Sequence, residues 1–248
     1  MGTVFCYKNF ALQLDKLTSN LVSNSKYQKS GGNIIPAGII SKNQILIMEH
    51  LAHLKRDKRL RSVIEDQDAV QLARSKNIDL YLWTSIMSQQ LSTKVASVIH
   101  KRFMDLYKGK PKPEIILATS VEDLRKIGLS RAKTNYIQNI ARFSLEQGMN
   151  FKQLNNMENE EVIEYLTQIK GVGRWTAEML LMFALGREDV FAVDDLGIQK
   201  AMRKLYKLKE MEKKELKERL YRIADKWSPY RTYACMYLWR WKDNVSDR

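Results

Sequence analysis

Two stretches of this 248-residue sequence combine residue types whose spacing can do chemistry. The first is Lys170-Gly171-Val172-Gly173-Arg174, set between two apolar stretches of helical character. Its glycines permit a sharp hairpin and a close approach of backbone to ligand. The amides of Gly171 to Arg174 then point outward at the start of the second helix, an anion site fit for a phosphate. An ordinary tight turn is the competing reading. The second stretch is Asp194-Asp195, two carboxylates that open a further helix twenty residues after Trp175. Asp is a strong helix cap, so capping is the default role of both. His50 and His53 stand three apart on one helix face, and His100 is the only other histidine. A metal would need more ligands than these, so they read as ordinary surface or half-buried residues. Cys6 and Cys235 are the only cysteines. That excludes a disulfide framework, a four-cysteine zinc site and an all-cysteine iron–sulfur cluster. It fits a reducing, cytoplasmic setting.

These residues must be held by a globular frame. Hydrophobic residues make up 44% and charged residues 28%, which excludes a disordered or fibrous chain. Only 4 prolines and 11 glycines interrupt it, so a mostly helical chain is expected. The apolar stretch Met179 to Leu185 is far short of the roughly 18 residues a bilayer span needs. The opening residues lack a basic segment followed by an apolar one, so secretion is not expected. Lys and Arg number 42 against 28 Asp and Glu, a net charge of +14. Nucleic acid is the first polyanionic partner to consider for such a chain, and an anionic membrane surface the second.

Residues 1–40 read as a polar arm or a domain remnant, and 41–248 as the folded core. Helical periodicity begins at Lys42 and ends in a basic run at Lys55 to Arg61. Leu80 to Phe103 reads as one apolar helical block with Ser88-Gln89-Gln90-Leu91-Ser92 in its middle. Lys110-Pro111-Lys112-Pro113 closes that region. A short helix ends at Lys126, and Arg131 to Gln147 forms the next. Met157 to Ile169, Trp175 to Leu185, Asp194 to Leu205, Glu210 to Trp227 and Pro229 to Trp241 complete an all-α reading.

Five segments, taken in order, carry a resemblance. Leu166 to Ala177, containing Lys170-Gly171-Val172-Gly173-Arg174-Trp175, resembles the helix-hairpin-helix of the DNA base-excision glycosylases, the HhH-GPD superfamily. Phe191-Ala192-Val193-Asp194-Asp195-Leu196-Gly197-Ile198 is similar to the loop that carries that family's essential Asp. Ile86 to Ser92, Leu124 to Lys133 and Trp227 to Ala234 match further family segments. The matches run across roughly residues 45 to 242 and look most like the DNA-3-methyladenine glycosylase II branch, without its additional N-terminal β-rich domain.

The resemblance implies a two-lobed fold with the active cleft between lobes. One lobe spans about 80–190 with the hairpin at 166–177, and the other is built from 41–79 and 191–248. It implies that Asp195 is catalytic. Breaking a C1′–N bond builds positive charge on the sugar, which a fixed carboxylate stabilises while orienting water. Trp175 stands where lyase-active relatives place a lysine. An indole cannot form a Schiff base, so a monofunctional enzyme is expected, with Lys170 and Lys200 the nearby amines. Trp175, Tyr230, Met179, Trp83 and Trp239 are candidates for the pocket of a flipped base. A cationic alkylated purine would gain roughly 0.5–2 kcal/mol on an aromatic face. Gln90 falls at the position of the wedge that fills the gap in the stack. Gly171, Val172, Gly173, Arg174, Arg131, Lys133 and Lys200 are candidate phosphate contacts. A monovalent cation, sodium or potassium, would be held by the carbonyls of Thr167, Ile169 and Val172. No organic cofactor and no iron–sulfur cluster is expected. The partner would be double-stranded DNA with damaged bases, met by a monomer. The rivals are a glycosylase for deaminated or oxidised bases, a non-catalytic lesion-DNA-binding protein, and a basic RNA- or membrane-binding protein.

Overall fold

In the computed structural model, residues 42–72 and 74–246 are described. The expected arm at 1–40 lies outside them. The elements in chain order are α1 (Lys42–Leu54), α2 (Lys58–Glu65), α3 (Ile78–Ser88), α4 (Thr93–Leu106), α5 (Pro113–Ala118), α6 (Val121–Lys126) and α7 (Arg131–Gln147). They continue with α8 (Phe151–Asn155), α9 (Asn159–Thr167), α10 (Arg174–Phe183), α11 (Leu196–Tyr206) and α12 (Lys213–Ala224). A 3₁₀ turn, Asp225–Trp227, and α13 (Arg231–Ser246) follow. The described residues contain no strand, in agreement with the all-α expectation. None of their helices is long and apolar enough to cross a membrane.

Caps set most of these boundaries. Asp57, Asn77, Ser92, Ser120, Ser130, Asn150 and Asp195 each accept an amide of the first turn of α2, α3, α4, α6, α7, α8 and α11. Each such bond satisfies a donor that the helix leaves open and contributes about 1 kcal/mol. Ser92 corrects the reading of Leu80 to Phe103 as one block. It ends a four-residue turn, and the block divides into α3 and α4 there. Pro113 likewise opens α5 rather than closing a region, because proline at the first helical position loses no needed donor.

The core is one contiguous cluster of buried apolar side chains drawn from nearly every helix. In α3, Tyr81 through Ser88 are all buried, as expected of a helix apolar on every side. It packs between α4, α7 and α10. The helices α9 and α10 pair across the Gly171-Val172-Gly173 turn. Helix α11 lies against α13 and α2. This arrangement brings the turn, the start of α11 and the middle of α13 to a common place.

Candidate active site

The hairpin turn is built on a glycine at a positive φ with no room beside it for a side chain. Gly171 has φ +109°, and a Cβ there would fall 2.3 Å from Cγ of Tyr136 on α7. The turn is closed by Val172 N–H donating to the Ile169 carbonyl at 2.9 Å. Asn139 Nδ2 of α7 donates to the Lys170 carbonyl at 3.0 Å. Gly173 caps α10 with no side-chain bond to the first-turn amides, and the space beside its Cα is open. First-turn amides left without a side-chain cap, at the start of a ten-residue helix, are what an anion requires.

Asp195 is 7% exposed and its carboxylate is held by three N–H donors. Oδ1 accepts from Ile198 N at 2.8 Å and from Trp239 Nε1 at 2.9 Å. Oδ2 accepts from Trp175 Nε1 at 2.9 Å. A carboxylate is an acceptor only, so all three donors match it. Asp195 therefore caps α11 and also holds a fixed charge between two indoles. The cap bond takes one acceptor position of Oδ1, which leaves the others for the two indoles. Gly197 makes the room. A Cβ on it would lie 2.9 Å from Asp195 Oδ1 and 3.3 Å from Trp239 Cδ1.

The loop leading to Asp195 is pinned to the start of α13. Arg231 donates to both oxygens of Asp189, Nε to Oδ1 at 2.6 Å and Nη2 to Oδ2 at 2.9 Å. Ser228 Oγ adds a third bond to Oδ2 at 2.8 Å. Burial works to raise the Asp189 pKa, but the bonds from Arg231 and Ser228 outweigh it and hold it below the usual value. Thr232 Oγ1 accepts from Val190 N at 3.0 Å and donates to the Arg187 carbonyl at 2.7 Å. The segment Trp227 to Ala234 thus acts as an anchor for the loop that leads to Asp195.

Several residues named from the sequence do something else. Trp83 is fully buried and donates Nε1 to the Ile137 carbonyl at 3.2 Å, so it is core and faces no open pocket. Met179 is 2% exposed and belongs to the same core. Tyr230 is half-buried and packs on His50, His53 and Tyr233, and among the described residues no bond joins it to Asp195. Arg174 is not a free phosphate contact. Its guanidinium takes both oxygens of Glu160, at 2.9 and 2.6 Å, and Glu178 Oε1 at 3.1 Å. Lys133 is not one either, because its ammonium donates to the carbonyls of Met87 at 2.9 Å and Gln89 at 2.6 Å. Burial pushes its pKa down to about 8. Asp194 does not cap α11 but pairs with Lys217. Arg131 and Lys200 are exposed and make no ion pair among the described residues. Gln90 is exposed in the turn between α3 and α4 with φ 58°. His50 is buried, stacked on Tyr233 at 4.1 Å between centroids, rather than at the surface.

Sequence reasoning missed three features. Trp239 was a stacking candidate, yet its role is to donate to Asp195. Gly197 was passed over, although a glycine two residues after a capping Asp signals crowding there. Glu178 was also missed. It is 1% exposed, and burial pushes its pKa up to about 7 against the pull of Arg174.

Comparison with known proteins places the chain in a family. Residues 84–226 match the HhH-GPD superfamily of base excision DNA repair proteins. The chain belongs to that superfamily. It is 35% identical to DNA-3-methyladenine glycosylase 1 of Schizosaccharomyces pombe, over 77% of this chain and 84% of that protein. The solved structure of a DNA-3-methyladenine glycosidase from Bacillus halodurans superposes with a TM-score of 0.71 and 38% identity, covering 80% of this chain and 91% of that one. A Schizosaccharomyces pombe 3-methyladenine DNA glycosylase in complex with abasic DNA gives a TM-score of 0.67 at 34% identity, covering 77% and 95%. Asp195, Trp175 and the hairpin all lie inside the superfamily match, whereas Trp239 and the whole of α13 lie beyond it.

Proposed function

We infer that this protein is a monofunctional DNA glycosylase that removes alkylated purines of the 3-methyladenine type from duplex DNA and leaves an abasic site. Membership of the superfamily and the names of its relatives support the activity and DNA as the partner. The observation that carries the mechanism is the Asp195 carboxylate fixed between Trp175 and Trp239. Its charge needs no reorganisation as the sugar becomes cationic, which is where electrostatic catalysis gains most. An alkylated purine already carries positive charge, so it departs without a general acid. Asp195 then orients the attacking water on the sugar. The Trp175 ring occupies the position of an amine nucleophile and offers no nitrogen able to form a Schiff base.

The flipped base enters a cleft between two lobes, with the indole of Trp175 as its aromatic wall. The hairpin amides hold the backbone phosphate beside it, and Arg131 and Lys200 extend the electrostatic track. A monovalent cation fits the same turn. The carbonyls of Thr167 and Val172 accept no backbone hydrogen bond among the described residues, and that of Ile169 accepts one. Such an ion would supply positive charge for the phosphate; the residues around it bind and orient DNA. No organic cofactor is required, and the protein acts as a monomer.

The test is release of free base from methylated duplex DNA, with Asp195→Asn run in parallel. Asn retains the helix cap but lacks the charge, so release falls by about 10²–10³-fold with the fold preserved. Strands nick only after hot alkali. Lesion-selective binding without release, or release independent of Asp195, overturns the reading.

A further inference from the structure

We propose that Lys133 is a positioning residue for base extrusion, clamping the turn that presents Gln90 to the duplex. This rests on the reading of Gln90 as the side chain that enters the gap left by the flipped base.

Gln90 is exposed and has φ 58°, a left-handed conformation that a non-glycine residue holds only when its surroundings impose it. Two backbone bonds shape the turn, Gln89 N to the Ile86 carbonyl and Leu91 N to the Ser88 carbonyl, each long at 3.3 Å. The short contacts come from outside. Lys133 Nζ reaches the carbonyls of Met87 at 2.9 Å and Gln89 at 2.6 Å, on either side of Ser88 and next to Gln90. Those carbonyls lie at the C-terminal end of α3, where the helix presents its negative pole.

The placement is costly unless it serves a purpose. Lys133 lies in the first turn of its own helix α7, beside the Ser130 cap, where a cation is disfavoured. It is also half-buried, at the expense of its hydration. Sitting on the opposite pole of α3 offsets both. A duplex pressing on Gln90 bears directly on the bonds made by Lys133. Without them, the turn's own backbone bonds among the described residues are two long ones with which to resist displacement while the base is pushed out.

The experiment is a double-mutant cycle in single-turnover base release from methylated duplex, comparing Lys133→Met, Gln90→Ala and the pair. Salt dependence of duplex binding is measured alongside. Each single change is expected to slow release about tenfold, and the pair no more than the slower single. Lys133→Arg, which keeps two carbonyl bonds, restores the rate and also covers the case in which Lys133→Met fails to fold. The salt slope stays that of the parent, since no phosphate contact is lost. Effects that multiply in the pair overturn the proposal, as does Lys133→Arg that folds yet remains slow. A salt slope shallower by about 0.9 would make Lys133 a phosphate contact instead. If Gln90→Ala is fully active, the wedge reading itself fails; if it is slow while Lys133→Met is not, only the clamp fails.

Discussion

Gly197→Ala tests whether the exact seat of the Asp195 carboxylate governs the rate. The added Cβ would sit 2.9 Å from Asp195 Oδ1, against an ordinary carbon–oxygen contact of about 3.4 Å. Trp239 closes the other side at 3.3 Å, so the helix cannot simply slide away. The carboxylate must therefore give way by about half an ångström. A displacement of about 1 Å at a reacting group can cost on the order of 10²-fold, so roughly tenfold is expected from half of that. Losing the Trp239 bond, a charge-assisted contact worth about 1.5–3 kcal/mol, extends the range towards a hundredfold. Stability should hardly change. Alanine in a helix gains about 1 kcal/mol over glycine, while a weakened cap costs about 0.5–2 kcal/mol. The melting temperature then moves by only about 2–4 °C. Single-turnover release of methylated purine, paired with thermal unfolding, separates the two quantities. Parent-like release from a folded Gly197→Ala protein refutes the argument that this carboxylate acts through its fixed position.

Trp239→Phe removes one of the three donors on Asp195 and should lower base release by about 10- to 100-fold, with little change in duplex affinity measured by titration. Gly171→Ala places a Cβ into the Tyr136 ring at a positive φ; duplex binding should weaken at least tenfold, and unchanged affinity would show the turn is not a DNA contact. Glu178→Gln concerns pH. With its folded pKa at about 7 and an ordinary value of 4.5, this group adds stability that is complete below 4.5 and lost as pH rises through 7, about 3 kcal/mol at most. Melting curves from pH 4 to 8 should therefore fall less for Glu178→Gln than for the parent, and parallel curves would deny the shift.

The sequence exposed the hairpin because its constraint is local. A glycine at φ +109° between two apolar helices is written in adjacent residues. Asp195 was legible for a similar reason, since its cap bond spans only three residues to Ile198. What the sequence hid are partnerships made across the fold. Arg174 reads as a free cation until Glu160, fourteen residues away, takes its guanidinium. Lys133 reads as one until the end of α3 is packed against the start of α7. Trp83 and Trp175 look alike in the sequence, but Trp83 is closed inside the core and Trp175 points its N–H at the Asp195 carboxylate.

Asp195 shows why the local and distant parts belong together. The cap bond alone leaves Oδ2 without a partner from its own helix, and a side chain that short still pivots about it. Trp175, twenty residues earlier, and Trp239, forty-four residues later, remove that freedom by holding Oδ2 and Oδ1 respectively. The first comes from the helix that follows the glycine hairpin, and the second from the helix whose start anchors the loop before Asp195. On the proposed reading, a phosphate drawn onto the hairpin amides at the start of α10 would be tied, through one indole, to the carboxylate that meets the sugar. Positioning of DNA and positioning of charge share a helix, so a change that tilts α10 should impair binding and chemistry together.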